Sequence, residues 1–544
     1  MRDKILYFLM RRRVVFYGML AALFFTVVHC AKRGSPTGGE KDTTPPKMIK
    51  ADPPNNSVNF DKKRIRIYFD EYVVLKNIQK QLIISPPLQQ TPEISPQGGA
   101  GKFIEIKIKD TLAPNTTYVL NFGQSITDNN EGNPYPYFSY VFSTGSYIDS
   151  LSVSGTIKDA LKREADDFVS VMLYRVDETF TDSIVYKKPP TYITNTLDST
   201  TAFTLTNLRA GTYMLAAMKD ADNNYVFDQK ADKIAFKEEF IEVPTDSVYE
   251  LTLFKETPDY KLMKPVLVSG NRIIFGYEGV ADSLAVTLLS PVPENFRYRV
   301  LKDREKDSLY YWFTDIKADS LLFKVKKENR EDTFTIKMRA LVKDSLVLTP
   351  TSQGNLSLKK PFAIQANIPL TEVREDRISL VNKDTVAVAF TAVLDSLKNR
   401  VRVLWKVQPD ERYKMRWLPG AVTDFFGNTN DTLQYSLHTR SLADYGNVRV
   451  TLENVSAYPI LVQLVSEKDE VVDEIYAEEA RNLYEFRNLD PAKYYIRVVF
   501  DTNKNGKWDT GNYLKKIQPE RVSYYPSVIE VRANWELEQV FTLK

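Results

Sequence analysis

The chain has 544 residues, 73 Lys and Arg against 70 Asp and Glu for a formal net charge of +3, one cysteine and two histidines. That length exceeds what one hydrophobic core serves, so several domains are expected, and the interspersed, nearly balanced charge argues against a nucleic-acid footprint. One thiol excludes an internal disulfide or a thiolate metal site, and two histidines are too few for a histidine-rich metal centre.

The chain begins with Arg2, Lys4, Arg11, Arg12 and Arg13, followed by an apolar stretch at 14–28 that suits a signal-peptide core and is short for a membrane span. Val27-Val28-His29-Cys30 resembles the lipobox of bacterial lipoprotein signals, although His29 departs from the usual small residue. The resemblance implies a signal peptide at 1–29, lipidation of Cys30, and an outer-membrane lipoprotein held through its lipid anchor. The alternative is an uncleaved signal anchor with an incidental cysteine. Lys32 and Arg33 follow the cysteine where surface-exported relatives carry acids, which leans toward a periplasm-facing protein over the cell surface. Residues 30–43 are polar and Gly/Pro-rich and read as a flexible tether.

From Thr44 the pattern is nearly all β. Arg64-Ile65-Arg66-Ile67-Tyr68-Phe69 and Phe103-Ile104-Glu105-Ile106-Lys107-Ile108 alternate as half-buried strands do. A short helix is expected near 76–82. Asp-Ser pairs before apolar residues, such as Asp149-Ser150, Asp246-Ser247 and Asp344-Ser345, read as turns that start strands. Two internal repeats divide the chain. Phe203-Thr204-Leu205-Thr206-Asn207-Leu208 matches Tyr484-Glu485-Phe486-Arg487-Asn488-Leu489 without a gap into loops that begin at Asp220 and Asp501. Ile126-Thr127-Asp128 and Val422-Thr423-Asp424 each precede a Gly-Asn turn. The expected domains are 44–146, 147–255 (repeat 1), 256–358 with the aromatic strand Leu309-Tyr310-Tyr311-Trp312-Phe313, 359–442, and 443–544 (repeat 2). The expected class is all-β: tandem Ig-like or transthyretin-like antiparallel β-sandwiches, about five in a rod.

Thr43-Thr44-Pro45-Pro46, Phe69-Asp70-Glu71, Leu112-Ala113-Pro114-Asn115-Thr116-Thr117-Tyr118 and Phe142-Ser143-Thr144-Gly145 together resemble the bacterial Ig-like domain of the S-layer (SbsA) type. That module heads many lipoproteins of the Bacteroidota. A degenerate second copy is expected at 359–442. The modules of the first repeat resemble carboxypeptidase-regulatory or transthyretin-like sandwiches, which implies non-catalytic appendages. Fold does not fix function.

One stretch has ligand chemistry. Asp501, Asn503, Asn505, Lys507 (through its carbonyl) and Asp509 stand at positions one, three, five, seven and nine of a loop with Gly506 at six, the spacing that turns oxygens inward onto calcium. Asn512 holds position twelve, where an EF-hand has Glu, and Glu520 could fold back in its stead. The matching loop offers Asp220, Asp222, Asn224 and Asp228, with Tyr225 in the glycine's place. The plain alternative is a pair of hairpin loops rich in turn-forming residues. His438 lies in the alternating stretch Tyr435-Ser436-Leu437-His438-Thr439 and reads as a strand residue. Asp128 to Asn133 read as a structural turn, and Trp312, Trp405, Trp417, Trp508 and Trp535 as mostly core.

No Gly-rich phosphate loop or nucleophile elbow is present, so no catalytic residue is assigned. The expected function is a non-enzymatic, membrane-anchored scaffold or accessory subunit of an envelope complex, with a β-barrel partner. A glycan- or surface-binding protein and a carboxylate-based hydrolase are the alternatives.

Overall fold

The computed structural model describes residues 41–197, 201–303 and 305–543, so Cys30 and the signal-like segment lie outside the described residues. Among these the only α-helix is the single turn Ile78–Gln81, within the expected 76–82. The rest is a tandem of five antiparallel β-sandwiches.

In the first, the strands Met48–Asp52, Arg64–Leu75, Gly101–Lys107 and Glu93–Ser95 form one sheet, and Ile83–Ser85, Thr117–Asn121 and Ser139–Ser143 the other. Alternation decides the faces: Ile65, Ile67 and Phe69 point inward with Ile104 and Ile106, while Arg64, Arg66 and Tyr68 point out. Each fully buried Ile or Phe stabilises by about 1.5–3 kcal/mol relative to exposure.

The fourth sandwich repeats this strand order. Leu348–Pro350, Phe362–Ala366, Arg400–Leu404 and Thr391–Asp395 form one sheet; Ile378–Val381, Arg412–Trp417 and Leu433–His438 form the other. The long strand Arg64–Leu75 bends so that its second half pairs with Ile126–Asp128. Its counterpart is broken outright into Phe362–Ala366 and Leu370–Val373, because Pro369 between them has no N–H for a ladder. Leu348–Pro350 belongs to this sandwich, ahead of the expected boundary at 359. Three residues at a sheet edge are too few for alternation to register.

The second and fifth sandwiches also match. Each places its first and last long strands parallel: Leu151–Asp159 beside Val248–Leu253, and Gly446–Glu453 beside Glu536–Thr542. Each pins the corner between its two sheets through a tyrosine. The hydroxyl of Tyr213 donates to Arg209 O (2.9 Å) and that of Tyr494 to Asp490 O (2.8 Å). The third sandwich, running from Lys261–Leu262 to Arg330–Lys337, packs Phe275, Tyr311 and Phe323 edge to face.

The expected rod is corrected by the packing. The second sandwich's large sheet, built on Ser170–Arg175 and Gly211–Lys219, is apolar on both faces. Val171, Leu173, Leu215 and Ala217 face its own core, and Met172, Tyr174, Met214, Ala216 and Met218 face away from it. A sheet apolar on both sides requires a second covering layer. Ile83 of the first sandwich and Tyr513 of the fifth supply part of it. The chain therefore folds back, and the fifth sandwich docks on the second. The third and fourth meet at a smaller cluster of Trp312, Ile368 and Phe425, with the Arg297 guanidinium 5.4 Å above the Phe425 ring.

Candidate functional site

The strand Ala492–Phe500 ends at Asp501, which is 1% exposed. Its carboxylate accepts the N–H groups of Asn505 (3.0 Å) and Gly506 (2.8 Å), and Gly506 takes the left-handed conformation (φ 75°) that closes the turn. The side-chain amides of Asn503 (2.6 Å) and Asn505 both donate to one oxygen of Asp509. The structure thus brings Asp501, Asn503, Asn505 and Asp509 into one turn, with Lys507 exposed at its rim. Glu520 does fold back: one carboxylate oxygen takes the Thr502 N–H (2.7 Å) and hydroxyl (2.8 Å), the other the Asp509 N–H (3.0 Å).

The first loop is built on the same plan with a different closing residue. Asp220 accepts the N–H groups of Asp222 (3.0 Å) and Tyr225 (2.7 Å), and Tyr225 adopts φ 58° where the other loop has glycine. Asp232, 2% exposed, takes the N–H groups of Ala221 (2.9 Å) and Asp228 (2.8 Å), as Glu520 does for loop positions two and nine. Burial pushes the Asp220 carboxyl above its ordinary range; the Tyr225 N–H opposes this and the charge of Asp232 adds to it. Asp222, Asn224 and Asp228 are exposed, and the side chains of Asn224 and Asp228 accept the nearby N–H groups of Val226 and Lys230 (2.7 and 2.8 Å). Among the described residues no three His, Cys, Asp or Glu side chains converge as a metal-ligating group. In both loops backbone N–H groups already engage the carboxylates. A calcium ion in the second loop would take over the oxygen of Asp509 that now holds Asn503 and Asn505.

The two loops diverge after position nine. Asp228 and Asp232 are four residues apart, Asp509 and Glu520 eleven. The longer excursion, residues 510–518, is the arm that reaches the second sandwich. Tyr513 is fully buried there: its ring meets Phe236 edge to face (5.3 Å), its hydroxyl donates to Met214 Sδ (3.0 Å), and its N–H donates to the buried carboxylate of Glu256. Burial foremost, with the Asp182 charge adding, raises the Tyr513 hydroxyl far above its ordinary pKa. Thr510 Oγ1 donates to Lys255 O (2.6 Å), Gln518 Nε2 to Phe236 O (3.1 Å), and Lys516 pairs with Asp182 (2.7 Å). The turn of the arm closes through paired backbone bonds between Asn512 and Ile517 (2.8 and 2.9 Å).

The second sandwich reaches back in turn. Leu161 O accepts from Arg497 Nη1 (3.1 Å) and from the Tyr524 hydroxyl (2.8 Å), and the Arg163 guanidinium lies 4.3 Å over the Tyr495 ring. Desolvation pushes the Tyr524 hydroxyl up to about 12, the Arg497 bond opposing. Arg497 is 4% exposed in the buried run Ile496-Arg497-Val498-Val499-Phe500, where every other residue is apolar, and the matching residue of the first repeat is Ala216.

The remaining candidates have structural surroundings. Asp128 accepts four backbone N–H groups (Asn130, Glu131, Gly132, Asn133; 2.7–2.9 Å), and Asp424 accepts those of Phe426 and Asn428 (2.8 Å each). His438 ends the strand Leu433–His438, its backbone bonded to Gly354 and Leu356. Trp417 is buried in the fourth sandwich's core and Trp312 in the cluster between the third and fourth, and Trp508 donates its indole N–H to Glu520 O (3.1 Å). Trp535 is 46% exposed beneath the Arg532 guanidinium. Asp232, Glu256, Arg497 and Tyr513 escape sequence reasoning. The unequal lengths of the matched loops and the lone arginine in Tyr494-Tyr495-Ile496-Arg497-Val498-Val499 are the signals that could have found the seam.

The architecture defines a multi-domain protein of Ig-like antiparallel β-sandwiches. Within it, residues 42–144 match the family model of a bacterial Ig-like domain, and they form the first sandwich. No curated protein matches the chain. Among solved structures, the chain is similar to domains 1–6 of the surface layer protein SbsC (11% identity, 86% of this chain and 67% of that one, TM-score 0.14). It is also similar to the I9–I11 tandem of titin (11%, 52% and 100%, 0.12) and to SGBP-B of the Bacteroides ovatus mixed-linkage glucan utilization locus (10%, 70% and 92%, 0.18). These likenesses extend to the repeated sandwich fold alone.

Proposed function

We propose that the chain is a non-enzymatic scaffold of the bacterial envelope, held at the outer membrane through lipidated Cys30, facing the periplasm, and serving as an accessory subunit of a β-barrel membrane complex. The observation that supports this most is the seam between the second and fifth sandwiches. The loops richest in acids and amides hold the backbone and join domains, so the chain's polar chemistry fixes the positions of sandwiches relative to one another. An array fixed in this way presents defined surfaces to a partner, which is what an accessory subunit needs. Calcium in the Asp501 loop would stiffen the base of the docking arm and carry out no chemistry.

The test is extraction of the native protein from membranes in mild detergent, followed by identification of whatever co-purifies at near-equal amounts. A recurrent β-barrel protein is the expected result. Recovery of the chain alone across several detergents, or in the soluble fraction, would overturn the reading.

A further inference from the structure

The outer face of the first sandwich's larger sheet carries a row of aromatic side chains that no other domain covers. Tyr68 and Phe103 are opposite each other across the ladder, their rings 5.6 Å apart. Tyr72 is 54% exposed, Phe103 40% and Ile49 64%. Each ring has a cation above it. Lys50 Nζ lies 5.0 Å from the Tyr68 ring, the Arg66 guanidinium 5.6 Å from Phe103, and Lys102 Nζ 5.4 Å from Tyr72. Arg64, Lys107 and Lys109 continue the basic character along the same face, where Glu105 and Glu93 each pair with more than one of these cations. Counting Asp52 beside Arg66 and Asp70 between Tyr68 and Tyr72, six cations stand against four carboxylates.

The chain enters the domain at the edge of this same sheet. Lys47 N–H donates to Asp70 (2.8 Å), and Met48–Asp52 is the edge strand. At that corner Asp42, Asp70, Glu71, Asp128 and Glu131 are close enough for their charges to act on one another, with Asp70 and Asp128 bonded to backbone N–H groups, so the basic area stops short of the point where the chain enters. Eleven peptide steps separate Cys30 from Lys41, the first described residue, and they span at most about 40 Å fully extended. If Cys30 carries a lipid, the bilayer surface is therefore within reach of this face.

We propose that this aromatic and basic sheet face lies against an anionic phospholipid surface. Tyr and Phe rings would sit at the headgroup level while Lys and Arg meet the phosphates, the arrangement that amphipathic rings and basic side chains favour at a membrane interface. The inference rests on the reading of the chain as lipid-anchored, and it adds the orientation of the first sandwich.

The experiment reconstitutes the full-length chain, with its N-terminal segment, into lipid nanodiscs of phosphatidylcholine with or without phosphatidylglycerol, and measures hydroxyl-radical modification of single side chains. Tyr298 (54% exposed) and Trp535 in distant sandwiches serve as internal references. With phosphatidylglycerol, modification of Tyr72 and Phe103 should fall by about threefold while the references hold constant. Each basic side chain near an anionic leaflet is worth about fivefold in occupancy, so K50S/K102S should restore the rates seen in solution. Both lysines are surface residues, and an unchanged Tm would show that the variant folds. Protein that is bound to the discs yet modified at solution rates overturns the inference and leaves anchoring intact. Equal protection without phosphatidylglycerol, or parallel protection of the references, overturns it as well. A chain that does not associate with discs at all overturns the anchored reading, and this inference with it.

Discussion

Replacing Tyr513 with alanine should open the seam between the second and fifth sandwiches without unfolding either. Tyr513 is fully buried, yet its neighbours Met214, Phe236 and Tyr186 belong to the second sandwich, and the fifth sandwich's own core does not include it. Truncating a buried aromatic costs about 3–5 kcal/mol where the site cannot collapse. The Tyr513 N–H bond to Glu256 survives the substitution, so the low end of that range applies. At about 1.4 kcal/mol per factor of ten, the docked state loses roughly a hundredfold in its equilibrium. Native-state hydrogen exchange reads this directly. Amides in residues 510–518 should exchange about a hundredfold faster, while the strands Gly446–Glu453 and Ala492–Phe500 keep their protection. Tyr513→Phe, which gives up only the hydroxyl contact with Met214, should cost less than about 1 kcal/mol. If Tyr513→Ala leaves exchange of the arm at the wild-type rate, the tyrosine does not hold the seam. If it strips protection from the whole fifth sandwich, the arm is part of that domain's core and the reasoning fails differently.

The same geometry sets three further outcomes. Arg497→Met removes the donor to Leu161 O together with the bonds to Gln463 and the Tyr524 hydroxyl and should cost about 1–2 kcal/mol in urea denaturation, Tyr524 still donating to Leu161 O; an unchanged midpoint would mean that these bonds together contribute nothing. Burial alone would raise the Asp128 carboxyl, but the N–H groups of Gly132, Glu131, Asn133 and Asn130 outweigh it and hold the pKa below its ordinary value. That stabilisation is present at neutral pH and is lost as pH falls below about 4 through the folded-state pKa, so the deficit of Asp128→Asn should shrink on acidification; a deficit that is constant down to about pH 3 would contradict it. Calcium at a hundredfold excess over its dissociation constant should stabilise the fifth sandwich by about 2–3 kcal/mol, and Asp509→Ala should abolish the gain; a calorimetric Tm indifferent to calcium and to chelator rules out the ion.

Much of the architecture is legible in local patterns. Alternation at 64–69 and 103–108 sets the strands and their faces, because a pleated sheet half in water demands a period of two. The match of 203–213 with 484–494 identifies two copies of one sandwich, down to the tyrosines whose hydroxyls close the same corner. The edge strand Leu348–Pro350 is not legible, since three residues carry no period. The candidate loops are legible in part. The spacing at Asp501 signals a turn in which Asn503 and Asn505 close onto Asp509, but the spacing at Asp220 looks similar and leaves Asn224 and Asp228 bonded only to backbone N–H groups nearby. The partner that reaches in from the return arm separates them, Glu520 in one and Asp232 in the other, at intervals that no local motif encodes.

The sequence by itself determined that this chain is all-β, that it repeats, and that polar loops follow the same strand in both copies, because strand period and turn chemistry depend on neighbours a few residues away. Only the tertiary structure decided that the array folds back on itself. The unbroken apolar runs of the second sandwich's large sheet state that both faces must be covered. They do not state by what, and the answer lies some 300 residues on, in an aromatic side chain on a loop whose composition otherwise suits water. Burial is a property of what meets in space, so a tyrosine among Asn, Lys and Gly shows its role only when the surface it fills is in view.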